Sequence, residues 1–378
     1  MACQGEIMQK QSWIDPSRYI NKIYVEESCV DLEYTKEILA RAKLPWSVVP
    51  EKAKPNNLGD DYIYNLTAGK KQLFLCNNRG TFFKPCPGTR EYKCCDYQIL
   101  NTGTNCPIDC VYCILQAYLN SPWLTFYMNT EQLFFELEES FKQNPNTFFR
   151  IGTGEFTDSL AIDRLTALSN KLVRYMSHKK NGILELKTKS GVIENLENLD
   201  HKGRTIIAWS LNSTSVMANQ EIRSATFEER IQAAQQCAAW GYKLAFHFDP
   251  IIDHPHWQEE YTETIIRLFE VVPAESIAWI SLGALRFLPS LKDIGIQRFP
   301  TTGIYFNEFI QGLDGKNRYF RPERVNMYKV IYSLLKERTV EKTCVYFCME
   351  SDEIWREVMG FAPHEKGGLP KMLDASVC

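Results

Sequence analysis

The sequence predicts an α/β fold: a partial (β/α)6 barrel with an N-terminal extension and a C-terminal, hairpin-bearing segment. Three observations lead there. From about residue 97 the chain alternates apolar strand-like runs with amphipathic helical stretches, as parallel strands with crossover helices do. Residues 1–96 lack that alternation. After residue 285 it breaks into a basic, aromatic segment. The expected units are therefore an extension over 1–96, a barrel over 97–285 and a C-terminal segment over 286–378.

Six barrel strands are expected at 97–102, 148–155, 183–189, 205–212, 243–252 and 276–285. Each is a short run rich in β-branched and aromatic residues, as strands covered on both faces are. Asn129 with Gln132 resembles a capping box for the helix that follows, and Thr226 with Glu229 does the same for the helix that Gly241 would stop. Upstream, 31–43 reads as a helix and 52–61 as a loop. Within 71–100, QLFLC and TFFKPC around the turn-like NNRG suggest a hairpin. A last strand is expected at 343–350.

Composition narrows the function. The 378 residues are 44% hydrophobic and 24% charged, which excludes a collagen-like, mucin-like or largely disordered chain. A formal net charge of −3 supplies no global basic field for nucleic acid. No uncharged apolar run is long enough to span a membrane, and MACQGEIMQKQSW has no apolar secretory core, so a cytoplasmic location is expected. Thirteen cysteines are an odd number for a long chain of this kind, and eight of them lie between residues 29 and 113. In a reducing compartment such bunching points to metal ligands or catalysis rather than to a disulfide framework.

The strongest motif is Asn105-Cys106-Pro107-Ile108-Asp109-Cys110-Val111-Tyr112-Cys113, just after the first barrel strand. Its C-x3-C-x2-C spacing can hold three irons of a cubane cluster and leave the fourth open for chemistry. A zinc site would want four closed ligands, and a redox dithiol would need only Cys110 and Cys113. The motif is the signature of radical S-adenosylmethionine (SAM) enzymes, including the aromatic before the third cysteine. That resemblance implies a [4Fe–4S] cluster ligated by Cys106, Cys110 and Cys113, and SAM cleaved to a 5′-deoxyadenosyl radical.

A larger part of the chain resembles one branch, the spore photoproduct lyase family. CVYCILQAYLN (110–120), EFTDSLAID (155–163), KTKS (187–190), Ser210–Ser213, Gly241–Leu244 and Gln297–Thr301 occur in family order. The resemblance implies SAM-carboxylate contacts at Thr157, Lys189 and Ser210, and a glycine-rich strand end at Gly152 and Gly154 that meets the SAM amino group. It also implies a DNA-repair lyase acting on a thymine dimer or another modified base, fed by an electron donor such as flavodoxin or ferredoxin.

Two positions depart from the family. Its hydrogen-donor cysteine aligns with Glu155, whose O–H bond is too strong to give up a hydrogen atom readily. Its tyrosine after the third cysteine is Ile114 here. Glu155 is therefore a candidate partner for the SAM amino group, Tyr112 a candidate for a place near the adenosine or for hydrogen return, and Cys348 a candidate substitute donor sharing a strand face with Cys344. Cys76, Cys86, Cys94 and Cys95 are candidates for an auxiliary cluster, although none forms a C-x2-C pair.

Residues 286–338 hold 10 Lys/Arg and 5 Asp/Glu. Arg318, Tyr319, Arg321 and Arg324 there interleave charge with aromatics, as a phosphate- and base-contacting surface does. In the resembled family a β-hairpin of this region enters DNA, and DGKN (314–317) would turn it. Competing readings are a member of the family with a peptide or metabolite substrate, and a non-enzymatic metal-binding protein.

Overall fold

Two sheets organise the chain. The computed structural model describes residues 13–55, 58, 61–88 and 92–377. The first, N-terminal sheet has five strands in the order 46–49, 22–26, 72–76, 124–127, 103–104. All its pairings are parallel except that of Gly103–Thr104, which runs against Leu124–Tyr127.

The second sheet is the barrel. Gln98–Leu100, Phe149–Gly152, Gly182–Thr188, Thr205–Ser210, Lys243–Ile251 and Ile277–Ala284 lie side by side in sequence order, and every neighbouring pair is parallel. These are the six expected strands. Cys344–Phe347 adds a seventh parallel strand beyond Ile277–Ala284, and Phe83–Pro85 closes the other edge against Gln98–Leu100 in antiparallel fashion. The sheet is thus a curled, incomplete barrel, and its strands are almost wholly buried.

Local expectations divide by how far their partners lie. Glu33–Ala42 is the expected first helix. Thr226 and Glu229 form a reciprocal capping box at the start of Phe227–Ala239, and Gly241 follows with φ +87°, a backbone that glycine adopts without strain. Asn129 does not box with its helix, Thr130–Gln143. Its Oδ1 accepts instead from the backbone of Asn78, 2.8 Å away, because a loop of the N-terminal sheet competes for the same oxygen. The expected hairpin within 71–100 is also absent. Gln72–Cys76 pairs with Lys22–Glu26 and Leu124–Tyr127, and Phe83–Pro85 joins the other sheet. The turn between them hands the chain from one sheet to the next. Of the loop expected at 52–61, residues 56, 57, 59 and 60 lie outside the described residues, as do residues 1–12.

Candidate active site

The cysteine loop is held from three sides. Asp109–Cys110 pairs antiparallel with Glu221–Ile222, and the Val111 N–H donates to the Gln220 carbonyl at 2.8 Å. The Gln116 side chain donates to the carbonyls of Cys110 and Val111, and the Tyr305 hydroxyl also reaches Val111. Beneath the loop, Asp109 sits between two buried cations: Lys70 at 2.9 Å and Arg298 at 2.8 Å. Lys70 also donates to the Ile108 carbonyl at 2.9 Å.

Electrostatics explain why this arrangement persists. Burial opposes the Asp109 charge, but Lys70 and Arg298 hold its carboxyl below the ordinary value. Burial likewise opposes the Lys70 charge, and Asp109 with the nearby Cys113 and Cys106 thiols raises it. Two cations against one carboxylate leave a positive charge under three sulfur ligands. Burial pushes the free Cys106 and Cys110 thiols up, with Asp158 and Glu221 respectively adding to it, so these sulfurs favour a bound cation over bare thiolates.

The three thiols open into one cavity of about 200 Å³. Gly154, Glu155, Thr157, Lys189 and Ser210 line the same cavity, with Asp158, Lys187 and Asp249. All come from the C-terminal ends of the parallel strands, where the loops of such barrels converge. A cubane's three irons need thiolates spread around one space rather than aimed at one point. Consistently, among the described residues no three His, Cys, Asp or Glu converge as a single ion requires. Three thiols lining one space are the donor set that a three-cysteine cluster would use.

Asp158 shapes this cavity. Its Oδ1 accepts from the N–H groups of Leu160 and Ala161 and from the Thr188 hydroxyl, and its Oδ2 accepts from the Lys189 N–H at 2.8 Å. It thereby locks the Thr157 loop to the end of the Gly182–Thr188 strand. The Lys189 ammonium lies 3.6 Å from Glu221, which is ion-paired with Arg230 at 2.6 Å. Behind Glu155 stands Lys187, 2.9 Å from its carboxylate. Deeper still, Glu185 accepts from His247 at 2.8 Å and from Trp279 at 3.0 Å. Burial resists the Glu185 charge, yet these partners bring its carboxyl down to about 2.

Several expected residues take other positions. Gly152 does not line the cavity. A Cβ there would stand 1.4 Å from the Tyr97 hydroxyl, so this glycine admits a tyrosine into the barrel interior. Tyr112 is buried behind the cavity and hydrogen-bonds Glu221, with Lys189 5.7 Å from its ring centre. Cys348 does not line the cavity either; its sulfur lies 3.4 Å from the Arg286 guanidinium, which pairs with the lining residue Asp249. Cys76 is remote from the other auxiliary candidates. It neighbours Glu26 and Cys29 in the N-terminal sheet, and burial pushes it up to about 12. The four-cysteine auxiliary site of Cys76, Cys86, Cys94 and Cys95 is therefore not assembled.

The basic segment is corrected too. Arg318, Tyr319 and Arg324 are buried. Arg318 pairs with Asp314 at 2.7 Å and lies 4.1 Å from the Tyr92 ring centre; Arg324 reaches Glu350 at 3.1 Å. Only Arg321 is exposed, and it is ion-paired with Glu357. The hairpin itself is present: Phe309–Gln311 pairs antiparallel with Asn317–Tyr319. Its tip carries Leu313, 77% exposed, and Phe306 and Ile310 earlier in the segment are exposed as well.

Sequence reasoning missed Lys70 and Asp249. Asp158, Lys187 and Arg298 fell inside the family-like segments 155–163, 187–190 and 297–301 without a role. Lys70 and Asp249 reach the site from elements far from those segments, so no local pattern marked them.

Comparison with known proteins agrees with this geometry. The family model described as spore photoproduct lyase matches residues 21–354. The spore photoproduct lyase of Bacillus subtilis (strain 168) is 26% identical over 327 residues, covering 85% of this chain and 92% of that protein. That of Geobacillus sp. (strain Y412MC61) is 28% identical over 244 residues, covering 64% and 70%. Among solved structures, a spore photoproduct lyase variant with bound AdoMet and dinucleoside spore photoproduct aligns with TM-score 0.78 at 22% identity, over 87% of this chain and 99% of that one. A spore photoproduct lyase complexed with dinucleoside spore photoproduct aligns with TM-score 0.76 at 22% identity, over 87% and 99%. The chain belongs to the spore photoproduct lyase family.

Proposed function

We propose that this member of the spore photoproduct lyase family is a radical SAM enzyme that acts on a thymine-dimer lesion in DNA. The observation that carries the reading is the shared cavity: Cys106, Cys110 and Cys113 face Thr157, Lys189 and Ser210 across one space at the strand ends. Bound to the three cysteines, a [4Fe–4S] cluster would supply the electron that splits SAM into methionine and a 5′-deoxyadenosyl radical.

The chain's own residues supply position and charge. The Lys189 ammonium and the Thr157 and Ser210 hydroxyls suit the SAM carboxylate, because a cation with two O–H donors matches two carboxylate oxygens. The Glu155 carboxylate, beside Lys187, suits the SAM amino group. Lys70 and Arg298 keep a positive charge under the cysteine loop. The hairpin tip, with Leu313 projecting, suits a wedge against stacked bases. A flavodoxin or ferredoxin would deliver the electron.

The test is an anaerobic assay of the iron-loaded, reduced protein with SAM and dinucleoside spore photoproduct. It should yield 5′-deoxyadenosine and separated thymidines. SAM cleavage without lesion loss would select another substrate, a reading favoured by the Glu155–Lys187 pair standing where the family has a cysteine. No cleavage by iron-loaded protein would refute the enzyme reading.

A further inference from the structure

A buried ion pair stands between Lys189, Ser210 and the cysteine loop, and the reading above gives it no role. Glu221 and Arg230 are both fully enclosed. They meet at 2.6 Å through Glu221 Oε2. The same guanidinium donates to the Ser210 carbonyl at 2.8 Å, the Ala225 carbonyl at 2.9 Å and the Ser224 hydroxyl at 2.6 Å. The other carboxylate oxygen, Oε1, accepts from the Tyr112 hydroxyl and faces the Lys189 ammonium at 3.6 Å. One carboxylate thus joins the cysteine loop, through Tyr112, to Lys189 and, through Arg230, to Ser210. The backbone makes the same join. Glu221–Ile222 pairs with Asp109–Cys110, and the Ala225 N–H donates to the Lys189 carbonyl at 2.9 Å.

The charges around the cavity single out Lys189. Lys187 lies 2.9 Å from Glu155, and Asp249 holds both terminal nitrogens of Arg286 at 3.0 Å. Asp158 accepts from four donors of its own chain segment and of the neighbouring strand end. Among the described residues the Lys189 ammonium alone of these groups makes no hydrogen bond, and Glu221 is its ion-pair partner. Its main chain is pinned on both sides, by Asp158 at the N–H and by Ala225 at the carbonyl. Only the side chain is left to be aimed. A buried ion pair gives little net stability over apolar side chains of the same volume. What Glu221 and Arg230 give is placement, because their carboxylate and guanidinium reach three separate parts of the site.

We infer that Glu221, held by Arg230, is the positioning residue that aims the Lys189 ammonium at the SAM carboxylate and ties that aim to the cysteine loop; this role rests on the SAM reading above. Glu221 is enclosed and acts through Lys189, so its effect belongs to the carboxylate end of the ligand. The 3.6 Å separation suits the task. A shorter contact would keep the ammonium donors on Glu221. Without the contact, a long, flexible side chain would have to be ordered by SAM itself, at a cost in rotamer entropy that weakens binding.

The test measures affinity rather than turnover. Calorimetry on iron-loaded protein compares SAM with 5′-methylthioadenosine, which keeps the adenosine and a thioether but has no carboxylate. Glu221→Gln should weaken SAM roughly tenfold while leaving iron content and 5′-methylthioadenosine affinity unchanged. Lys189→Met should lose as much, and the double variant no more than Lys189→Met alone, because one residue acts through the other. Unchanged or tighter SAM binding in Glu221→Gln overturns the role. So do additive losses in the double variant, lost iron, or an equal loss for 5′-methylthioadenosine, each of which marks a merely structural residue. Glu221→Gln leaves Arg230 buried without a counter-charge and can fail to fold. Glu221→Asp keeps that charge and withdraws it from Lys189 by one methylene; it should bind SAM severalfold more weakly, and wild-type affinity there overturns the role as well. Wild type that binds no SAM overturns the SAM reading itself. Wild type that binds SAM no better than Lys189→Met removes Lys189 from the SAM site, and the role of Glu221 with it.

Discussion

Cys106, Cys110 and Cys113 follow the first barrel strand and Cys86, Cys94 and Cys95 precede it, in opposite surroundings. The first three sit on a loop pinned by Glu221–Ile222, Gln116 and Tyr305, over the buried Lys70–Asp109–Arg298 set. The second three sit half-buried just before Gln98–Leu100, where the Cys86 N–H donates to the Tyr97 carbonyl and the Cys94 sulfur fills the space beside Gly88. A fixed positive foundation suits sulfurs that must share electron density with metal. The difference lies in neighbours, not residue type.

The largest break should come from the first group. Replacing Cys106, Cys110 or Cys113 with alanine should reduce bound iron to background and abolish SAM cleavage, read by iron analysis and 5′-deoxyadenosine formation. Cys94→Ala should leave iron content unchanged.

The foundation comes next. Asp109→Asn leaves Lys70 and Arg298 buried without a counter-charge, so urea unfolding should show a loss of about 3–5 kcal/mol. Serine at Cys94, on a half-buried turn, should cost under ~1 kcal/mol.

Glu185 sharpens the picture through pH. Its carboxyl is brought from 4.5 to about 2 in the folded chain by His247, Lys187 and Trp279, against burial. The unfolded chain therefore binds its proton first as pH falls. This stabilisation, about 3 kcal/mol for such a shift, is complete above about pH 5 and is lost as pH falls towards 2. Glu185→Gln should flatten that part of the stability–pH profile measured by urea unfolding.

Lys189→Met should weaken SAM binding roughly 10-fold, about the 1.4 kcal/mol of a charge-assisted hydrogen bond, by calorimetry on iron-loaded protein. The smallest effect belongs to the surface. Arg321→Ala breaks an exposed pair with Glu357 and should change stability by under ~1 kcal/mol, whereas Arg318→Ala takes the nearer of two cations from the enclosed Asp314, leaving Lys316 at 3.7 Å, and should cost more.

That last contrast shows why part of the site was not legible in the sequence. Arg318, Tyr319 and Arg324 read as a nucleic-acid surface because composition counts charges without their partners. Asp314 and Glu350 neutralise two of them inside the fold. The same blindness hid Lys70, which lies 36 residues before Cys106 yet donates into the cysteine loop. Asn129 failed as a helix cap for a related reason: a backbone from another element took its oxygen.

By itself, the sequence determined the six barrel strands, the helix starts with local caps such as Thr226–Glu229, and the three-cysteine loop. Those depend on periodicity and spacing within a few residues. Only the tertiary structure decided the parallel N-terminal sheet, the separation of Cys76 from Cys86, Cys94 and Cys95, the charges beneath Cys106–Cys113 and the place of Cys348 beside Arg286. Each depends on a contact between elements far apart in the chain, and short-range pattern carries no record of such contacts.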